Sequence, residues 1–526
     1  MRPQMRILGL AMLAAVLAVA AHAATVSGVV KGPDGAPLKG AFVIAQNTSN
    51  HISVTVLSDK SGRYRIPDLP AATYDVRIRA IGYKADPHND VKLAASQNAS
   101  FDWNLQQGAV RWSDLSLYQG KELLPKSKGE DALTGNCFVC HGFQTRMAST
   151  TRDEDDWRDR VNYMRSTMDL NPRFNDQTAD DVVSYLTSTF GPDSSKPKSP
   201  ADLPSYKDTL RSFSDDAMNI VYVEYDVATS PGLPWSANPD KEGNMWMPYY
   251  GDGNKVGRLN PKTGEVTFFS LPPEKSAGVH SVIPAPDGTV WFTEFFSDKI
   301  VHLDPKTKEL TEYQDEGAPQ GQRPSKHTIR MDPTGKLWMS GSPFSSFDPQ
   351  TKKFTHYDQV PSTYGVIVDN QGNTWFAVFT RDGAIGKVDA KTGKLQVWPT
   401  NSGPAQRLQV ADDGTVWFSG RPRNNLGRLD PNTGTFKTYA LPGPSPSPYP
   451  LNIDRNGYVW YGSTDQDTIG RVDPKTGQVT EYPFPHSEGL MREFFLDAQG
   501  HMWFATPTNN RVGYFYLAEA TQHASN

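Results

Sequence analysis

Cysteine is almost missing from this sequence: 526 residues contain two, Cys137 and Cys140. A framework of structural disulfides is thereby excluded. A basic excess is missing too. The formal net charge is -5, whereas a nucleic-acid binder normally carries the opposite balance. After the first twenty residues no apolar run is long enough to cross a bilayer. No signature of a second redox cofactor is present. What the chain has in quantity is Gly (43) and Pro (41), dispersed among 37% apolar residues, which favours many turns and β-rich cores over disorder. The length implies two to four domains.

The chain opens with Arg2 and Arg6, an apolar run from Ile7 to Ala20, and the triplet Ala21-His22-Ala23. This order is that of a cleaved secretory signal peptide, with the cut after Ala23. An uncleaved anchor is the alternative, and the run is short for a span. No cysteine near the cut offers a lipid attachment point. The mature protein is expected to be soluble and periplasmic or secreted, without a membrane span.

Residues 24–107 alternate apolar and polar positions between Gly/Pro turns, with Tyr64, Ile66, Tyr74, Val76 and Ile78 in phase, as in a small β-sandwich. The stretches "SGVVKGPDGAPLKGAFV", "SDKSGRYRIPDLPAATYDV" and "AIGYK" resemble the carboxypeptidase regulatory-like domain. That resemblance implies a binding or spacer module without chemistry. Residues 108–197 change to amphipathic helical patterns, the last of which Thr178 and Asp181 open as a capping box. A Pro/Ser/Lys-rich stretch makes 198–217 a linker.

Residues 218–517 are a repeat array. Seven copies carry Trp246, Trp291, Trp338, Trp375, Trp417, Trp460 and Trp503, spaced by 37 to 47 residues. Each copy holds three strand-like runs joined by Gly or Asp-Pro-x-Thr-Gly turns, with a fourth strand between copies. One four-stranded sheet per copy is a seven-bladed β-propeller. The last copy stops after "VGYFYL", and "NIVYVEYDV" at 219–227 is placed to supply its missing strand and close the ring. Residues 518–526 form a tail. The fold class is therefore multidomain and mainly β: a β-sandwich, a small all-α domain and a seven-bladed propeller.

The helical segment contains "CFVCH", with His141 directly behind the two thiols. Two thiols at this spacing can add to the vinyl groups of a haem while the histidine takes one face of the iron, so C-x-x-C-H signals covalent haem c, one per chain. A zinc site would need more Cys or His close by, and the next histidine is His280. A redox CxxC would need a βαβ context. Met147, Met164 and Met168 follow. Small cytochrome c domains are similar to this segment in placing a Trp and then a Met after the motif, here "WRDRVNYMRSTM". That points to Met164 as the second axial ligand, with Met168 one turn further on the same face. Both are also the kind of residue that fills core gaps.

The blades, through "WFTEF", "IGRLDP" and "TEYPFP", resemble the virginiamycin B lyase (streptogramin lyase) family. In that family a His and a Glu, with Mg2+, open a cyclic ester by elimination. The family's spacing places the His eleven residues before the blade Trp and the Glu three after it, which His280, Trp291 and Glu294 match. His280 and Glu294 are thus the candidate catalytic pair, an imidazole to take a proton and a carboxylate to hold it or a metal. The third copy has His327 but Gly341 in the Glu position. The same ring position reads Trp235, His280, His327, Tyr364, Gln406, Tyr449 and Arg492 around the seven copies, which equally describes a ligand-binding ring. Arg323, Lys326, Arg330, Arg407, Arg421, Arg423 and Arg492 fall near the same loops and could receive an anion.

Three functions fit these residues. The first is a periplasmic haem c electron-transfer protein whose propeller binds a small organic or polymeric substrate or a redox partner protein. The second is a metal-dependent C–O lyase with an accessory haem domain. The third is a non-catalytic binding scaffold.

Overall fold

The computed structural model describes residues 23–138, 140–167, 174–227, 232–251, 253–272, 278–317, 325–401, 403–420 and 423–518. The expected signal peptide up to residue 22, Met168, and the tail from 519 lie outside them.

Alternation decides the first unit. In Arg63–Leu69 the side chains of Tyr64, Ile66 and Leu69 are buried while Arg63 and Arg65 face water. Tyr74 and Val76 do the same in Ala72–Arg79, with Ile78 half-buried. Ala24–Lys31 pairs antiparallel with Arg63–Leu69 and parallel with Asn98–Ser100. The facing sheet runs through Ser53–Leu57, Phe42–Asn47, Ala72–Arg79 and His88–Leu93. Val26, Val43, Ile66, Val76 and Trp103 fill the space between the two layers. Each large apolar side chain removed from water there stabilises the sandwich by about 1.5–3 kcal/mol.

Four helices follow: α1 (Leu117–Leu123), α2 (Lys128–Asn136), α3 (Glu154–Thr167) and α4 (Asp176–Phe190). Ser116 and Gln119 form a reciprocal capping box on α1. α4 starts three residues earlier than the Thr178–Asp181 pattern suggests. Asn175 is its cap, its side chain accepting from Thr178 N at 2.9 Å, because a short amide at the N-cap satisfies a free N–H that a residue inside the helix cannot reach. Leu133, Phe143, Trp157, Val182 and Leu186 form the core. The segment 198–217 is not a free linker. Its 3-10 turns place Leu203 and Tyr206 against that core, and Arg211 pairs with Glu481 of the sixth blade. The Pro and Ser residues shape tight turns here rather than a flexible tether.

Blades two to six each contain four antiparallel strands, such as Val279–Pro284, Val290–Glu294, Lys299–Asp304 and Glu309–Gln314 in the second, while the first has its inner strand split into Leu233–Pro234 and Asn238–Pro239. The Asp-Pro-x-Thr-Gly turns owe their form to the aspartate. In two of them its Oδ1 accepts from the backbone N–H two residues on, Asn432 at 2.9 Å and Lys475 at 2.8 Å, and the related Asp304-Pro-Lys-Thr-Lys turn does the same with Lys306 at 2.8 Å. The marker tryptophans have a second constraint. In five blades the indole Nε1 donates to an aspartate six residues earlier: Asp240, Asp332, Asp369, Asp454 and Asp497, at 2.8–3.0 Å. Ala285 and Ala411 occupy that position in the other two.

The ring closes as the sequence implied. Ile220–Asp226 pairs antiparallel with Arg511–Leu517 over seven residue pairs, from Ile220↔Leu517 to Asp226↔Arg511. The other edge of the same strand pairs with Ser53–Leu57 of the sandwich, Tyr222 opposite Thr55. Blade seven and one sandwich sheet are therefore a single eight-stranded sheet.

Asp454→Ala leaves the Trp460 indole N–H and the amides of Asn456 and Tyr458 without their carboxylate. We expect it to lower stability by about 1–3 kcal/mol, read as an earlier urea midpoint.

Candidate functional site

The α2 helix ends at Asn136, and Cys137 closes it with its N–H on Leu133 O at 2.8 Å. The chain then turns, with Cys140 N donating to Cys137 O at 3.2 Å. His141 is buried, and its Nδ1 lies 2.8 Å from Gly142 O. A carbonyl can only accept, so Nδ1 carries the proton and Nε2 keeps its lone pair. Burial first, then the nearby Arg146 and Arg492, holds the imidazole below its usual range against the opposing pull of Glu488. Burial, with a smaller contribution from Cys140, pushes the Cys137 thiol up to about 12. At neutral pH it is therefore protonated.

His141 and Cys137 line a cavity of about 560 Å³. Leu133, Val161, Val182 and Leu186 give it an apolar wall, and Met147 and Met164 both reach it. Arg146, Arg152, Arg160 and Arg165 border it as well. The remaining wall comes from the propeller, through Leu233, Tyr250, Gly251 and Asn510.

The helical unit is fastened to the propeller by buried polar contacts. Glu488, which is 1% exposed, accepts from Gly142 N at 2.7 Å through one oxygen. Its other oxygen accepts from Thr145 N at 3.0 Å and Thr145 Oγ1 at 2.5 Å. Arg492, equally buried, donates to Cys140 O at 2.8 Å. Lys121 pairs with Asp465 at 2.9 Å, and Ser487 Oγ donates to Ser113 O.

Six of the seven ring positions meet one another in a closed circle of side chains. Four of them, His280, His327, Tyr364 and Tyr449, lie where the inner strand takes a β-bulge. A bulge re-aims the side chain that a regular pleat would carry elsewhere. Trp235 Nε1 donates to His280 Nε2 at 3.0 Å. The His280 and His327 rings lie 3.9 Å apart, and those of His327 and Tyr364 4.1 Å. The hydroxyls of Tyr364 and Tyr449 share a hydrogen bond. Arg492 lies over the rings of both Tyr449 and Trp235, at 5.7 and 4.4 Å, which completes the circle. Gln406 is buried in the same tier. Next to the ring, Glu493 receives Arg407 at 2.7 Å and Arg330 at 3.1 Å. They border a chamber of about 160 Å³ that also reaches Gln409 and Asn452. Burial raises the Glu493 carboxyl, but the two guanidinium groups outweigh it and hold it below its ordinary range.

His280 and Glu294 share no hydrogen bond or ion pair. Glu294 stands opposite Val279 in the strand pair and accepts from Ser297 Oγ. Burial raises it, and the charges it feels are Glu312 and Lys299. His280 has both nitrogens engaged, Nδ1 on His327 O at 2.8 Å and Nε2 on Trp235. Burial and Arg407 push it down to about 3, so it stays neutral. In the third blade a Cβ on Gly341 would fall 1.8 Å from Ser325 O, so no carboxylate fits there. Among the described residues no group of three or more His, Cys, Asp or Glu is placed to hold a metal ion.

The expected anion-receiving basic cluster is corrected in the same way. Lys326 is fully buried between Asp298 and Asp315, Arg330 and Arg407 are spent on Glu493, and Arg423 donates to Gly403 O. Arg323 and Arg421 lie outside the described residues. Buried cations need internal partners, which leaves these unavailable to a ligand.

Comparison with known proteins agrees with the fold. The carboxypeptidase regulatory-like domain profile matches residues 25–106, and the virginiamycin B lyase family profile matches residues 349–523. A solved streptogramin B lyase structure superposes with a TM-score of 0.51 at 23% identity, covering 58% of this chain and 100% of that one. A virginiamycin B lyase from Staphylococcus aureus gives 0.50 at 20% identity, over 57% and 99%. No curated protein matches the chain. The N-terminal unit is a carboxypeptidase regulatory-like domain and the C-terminal unit a virginiamycin B lyase-like propeller.

Glu488, Glu493 and Tyr250 were not singled out by sequence reasoning. Glu488 and Glu493 lie in the irregular inner strand of the seventh copy, "PHSEGLMREFF", where no repeat position marks them. Glu493→Gln leaves Arg407 and Arg330 buried without their counter-charge. We expect a loss of about 3–5 kcal/mol by chemical denaturation, more than for His280→Ala, which removes two neutral hydrogen bonds, those to the Trp235 indole and His327 O, and strands no charge.

Proposed function

We propose that this protein is an exported haem c electron carrier in which the propeller forms one wall of the haem crevice. The observation that carries this reading is the His141 Nε2 lone pair, left free by the Nδ1 bond to Gly142 O, on a cavity of about 560 Å³ that Cys137 and Met164 share. The residues fit the group in size and chemistry, since pockets of roughly 300–1,000 Å³ with apolar walls and few polar groups suit ligands of this class. Bound haem would supply a one-electron couple. Cys137 and Cys140 would hold it through thioethers and His141 would hold the iron. Met164 would be a second residue to hold the iron, and a thioether favours the reduced form. Leu133, Val161 and Val182 exclude water from the interior of the crevice. Arg146 and Arg160 offer guanidinium groups to the carboxylates that haem carries. Arg160 and Tyr163 are exposed where the cavity opens, which suits the approach of a redox partner or small-molecule reductant. Among the described residues no helix is long and apolar enough to cross a membrane. Nothing in the arrangement of His280 and Glu294 favours elimination chemistry.

Protein matured in a host competent for cytochrome c assembly should retain one haem per chain through a denaturing gel. Cys137→Ala with Cys140→Ala should release it, and wild-type protein holding zinc and no haem would refute the proposal. Reduced-minus-oxidised spectra with candidate substrates then show whether electrons reach the haem.

Met164→Ala should remove the sulfur-to-iron charge-transfer band and lower the potential by more than about 100 mV, within the roughly 0.8 V range that axial ligands span. Met147→Ala should leave both unchanged. The opposite result gives the ligand role to Met147, and no effect of either gives it to Met168.

A further inference from the structure

Two propeller side chains of opposite charge hold the peptide groups on either side of His141. Arg492 donates to Cys140 O at 2.8 Å, immediately before the histidine. Glu488 accepts from Gly142 N at 2.7 Å, immediately after it. Both residues are 1% exposed, so neither charge is screened by bulk water. Both are also fixed. Arg492 is stacked over Trp235 at 4.4 Å, and the backbone amides of Glu488 and Gly489 donate to Asp467 at 3.1 and 2.7 Å. Glu488 takes a left-handed backbone, φ 62°, which turns its carboxylate out of the propeller and into the CxxCH turn.

We propose that Arg492 and Glu488 are positioning residues that set the reduction potential of the haem in opposite senses, and that this is what the propeller contributes to the cytochrome. The inference rests on the haem reading above. Its physics is Coulombic. Taking an electron lowers the positive charge at the iron. A fixed buried cation beside the ligand loop disfavours the oxidised form, and a fixed anion favours it. Gly142 adds a second route. Glu488 holds its N–H, which fixes the residue whose C=O receives His141 Nδ1–H and so orients the imidazole. The helical unit has no buried charge of its own at these two peptides. Both come from chain more than 340 residues away.

The test uses the full-length haem-loaded protein and substitutions that remove one charge at a time. Arg492→Gln should lower the ratio of reduced to oxidised haem at a fixed poise at least ten-fold, equivalent to about 59 mV for a one-electron couple. Glu488→Gln should raise that ratio. Arg492→Lys keeps the charge and should stay within three-fold of wild type. A purely structural contact predicts that both neutral variants shift together, as the crevice loosens and water enters. Shifts of the same sign, or less than three-fold in either neutral variant, overturn the proposal. If Arg492→Gln fails to fold, the rise in Glu488→Gln and the retention in Arg492→Lys decide it. Wild-type protein without haem refutes the reading beneath it instead, before any variant is compared.

Discussion

The architecture hangs on one strand. Ile220–Asp226 gives one edge to Arg511–Leu517 and the other to Ser53–Leu57. A propeller is stable only as a closed ring, because each blade buries its faces against two neighbours. Here the closing strand would leave an open edge toward water, and open edges invite pairing with other chains. The sandwich covers it. Glu224 sits at this seam, 1% exposed, with His486 Nε2 at 2.8 Å to balance it. Removing the sandwich would expose both a sheet edge and that charge, so its role as a spacer understates it.

Charge does inside the molecule what apolar packing does within each blade. The Arg407–Glu493–Arg330 group and the Glu488 and Arg492 contacts are all buried, and buried ionic groups cost desolvation that only good geometry returns. Their effect is to choose one arrangement among many. The helical unit has a single seat on the propeller because only one placement gives the carbonyl of Cys140 to Arg492 and the amides of Gly142 and Thr145 to Glu488.

Whatever repeats was legible in the sequence. The Trp period revealed the blades, the truncated last copy revealed the closing strand, and period-two alternation revealed the sandwich. The seven ring residues were found by their fixed offset from each Trp, and six of them do meet in one circle. Their offset could not disclose that they would satisfy one another. His280 matched a spacing, but spacing along a chain does not fix which neighbour a bulged residue meets, and it met Trp235 and His327 O rather than Glu294. The basic cluster misled for a related reason: the carboxylates that neutralise it come from other copies or other turns. Glu488 and its partners Gly142 and Thr145 are more than 340 residues apart, beyond any local pattern. Local signals also slipped by a few residues, as at Asn175, where the stronger cap lay just outside the apolar pattern.

The closed circle from Trp235 to Arg492 acts as a stopper in the bore of a toroid. On one side lies the large cavity that Tyr250 borders, and on the other the small chamber floored by Glu493 and Asn452. The two share no lining residue, so a group bound in the small chamber would touch nothing that borders Cys137 and His141.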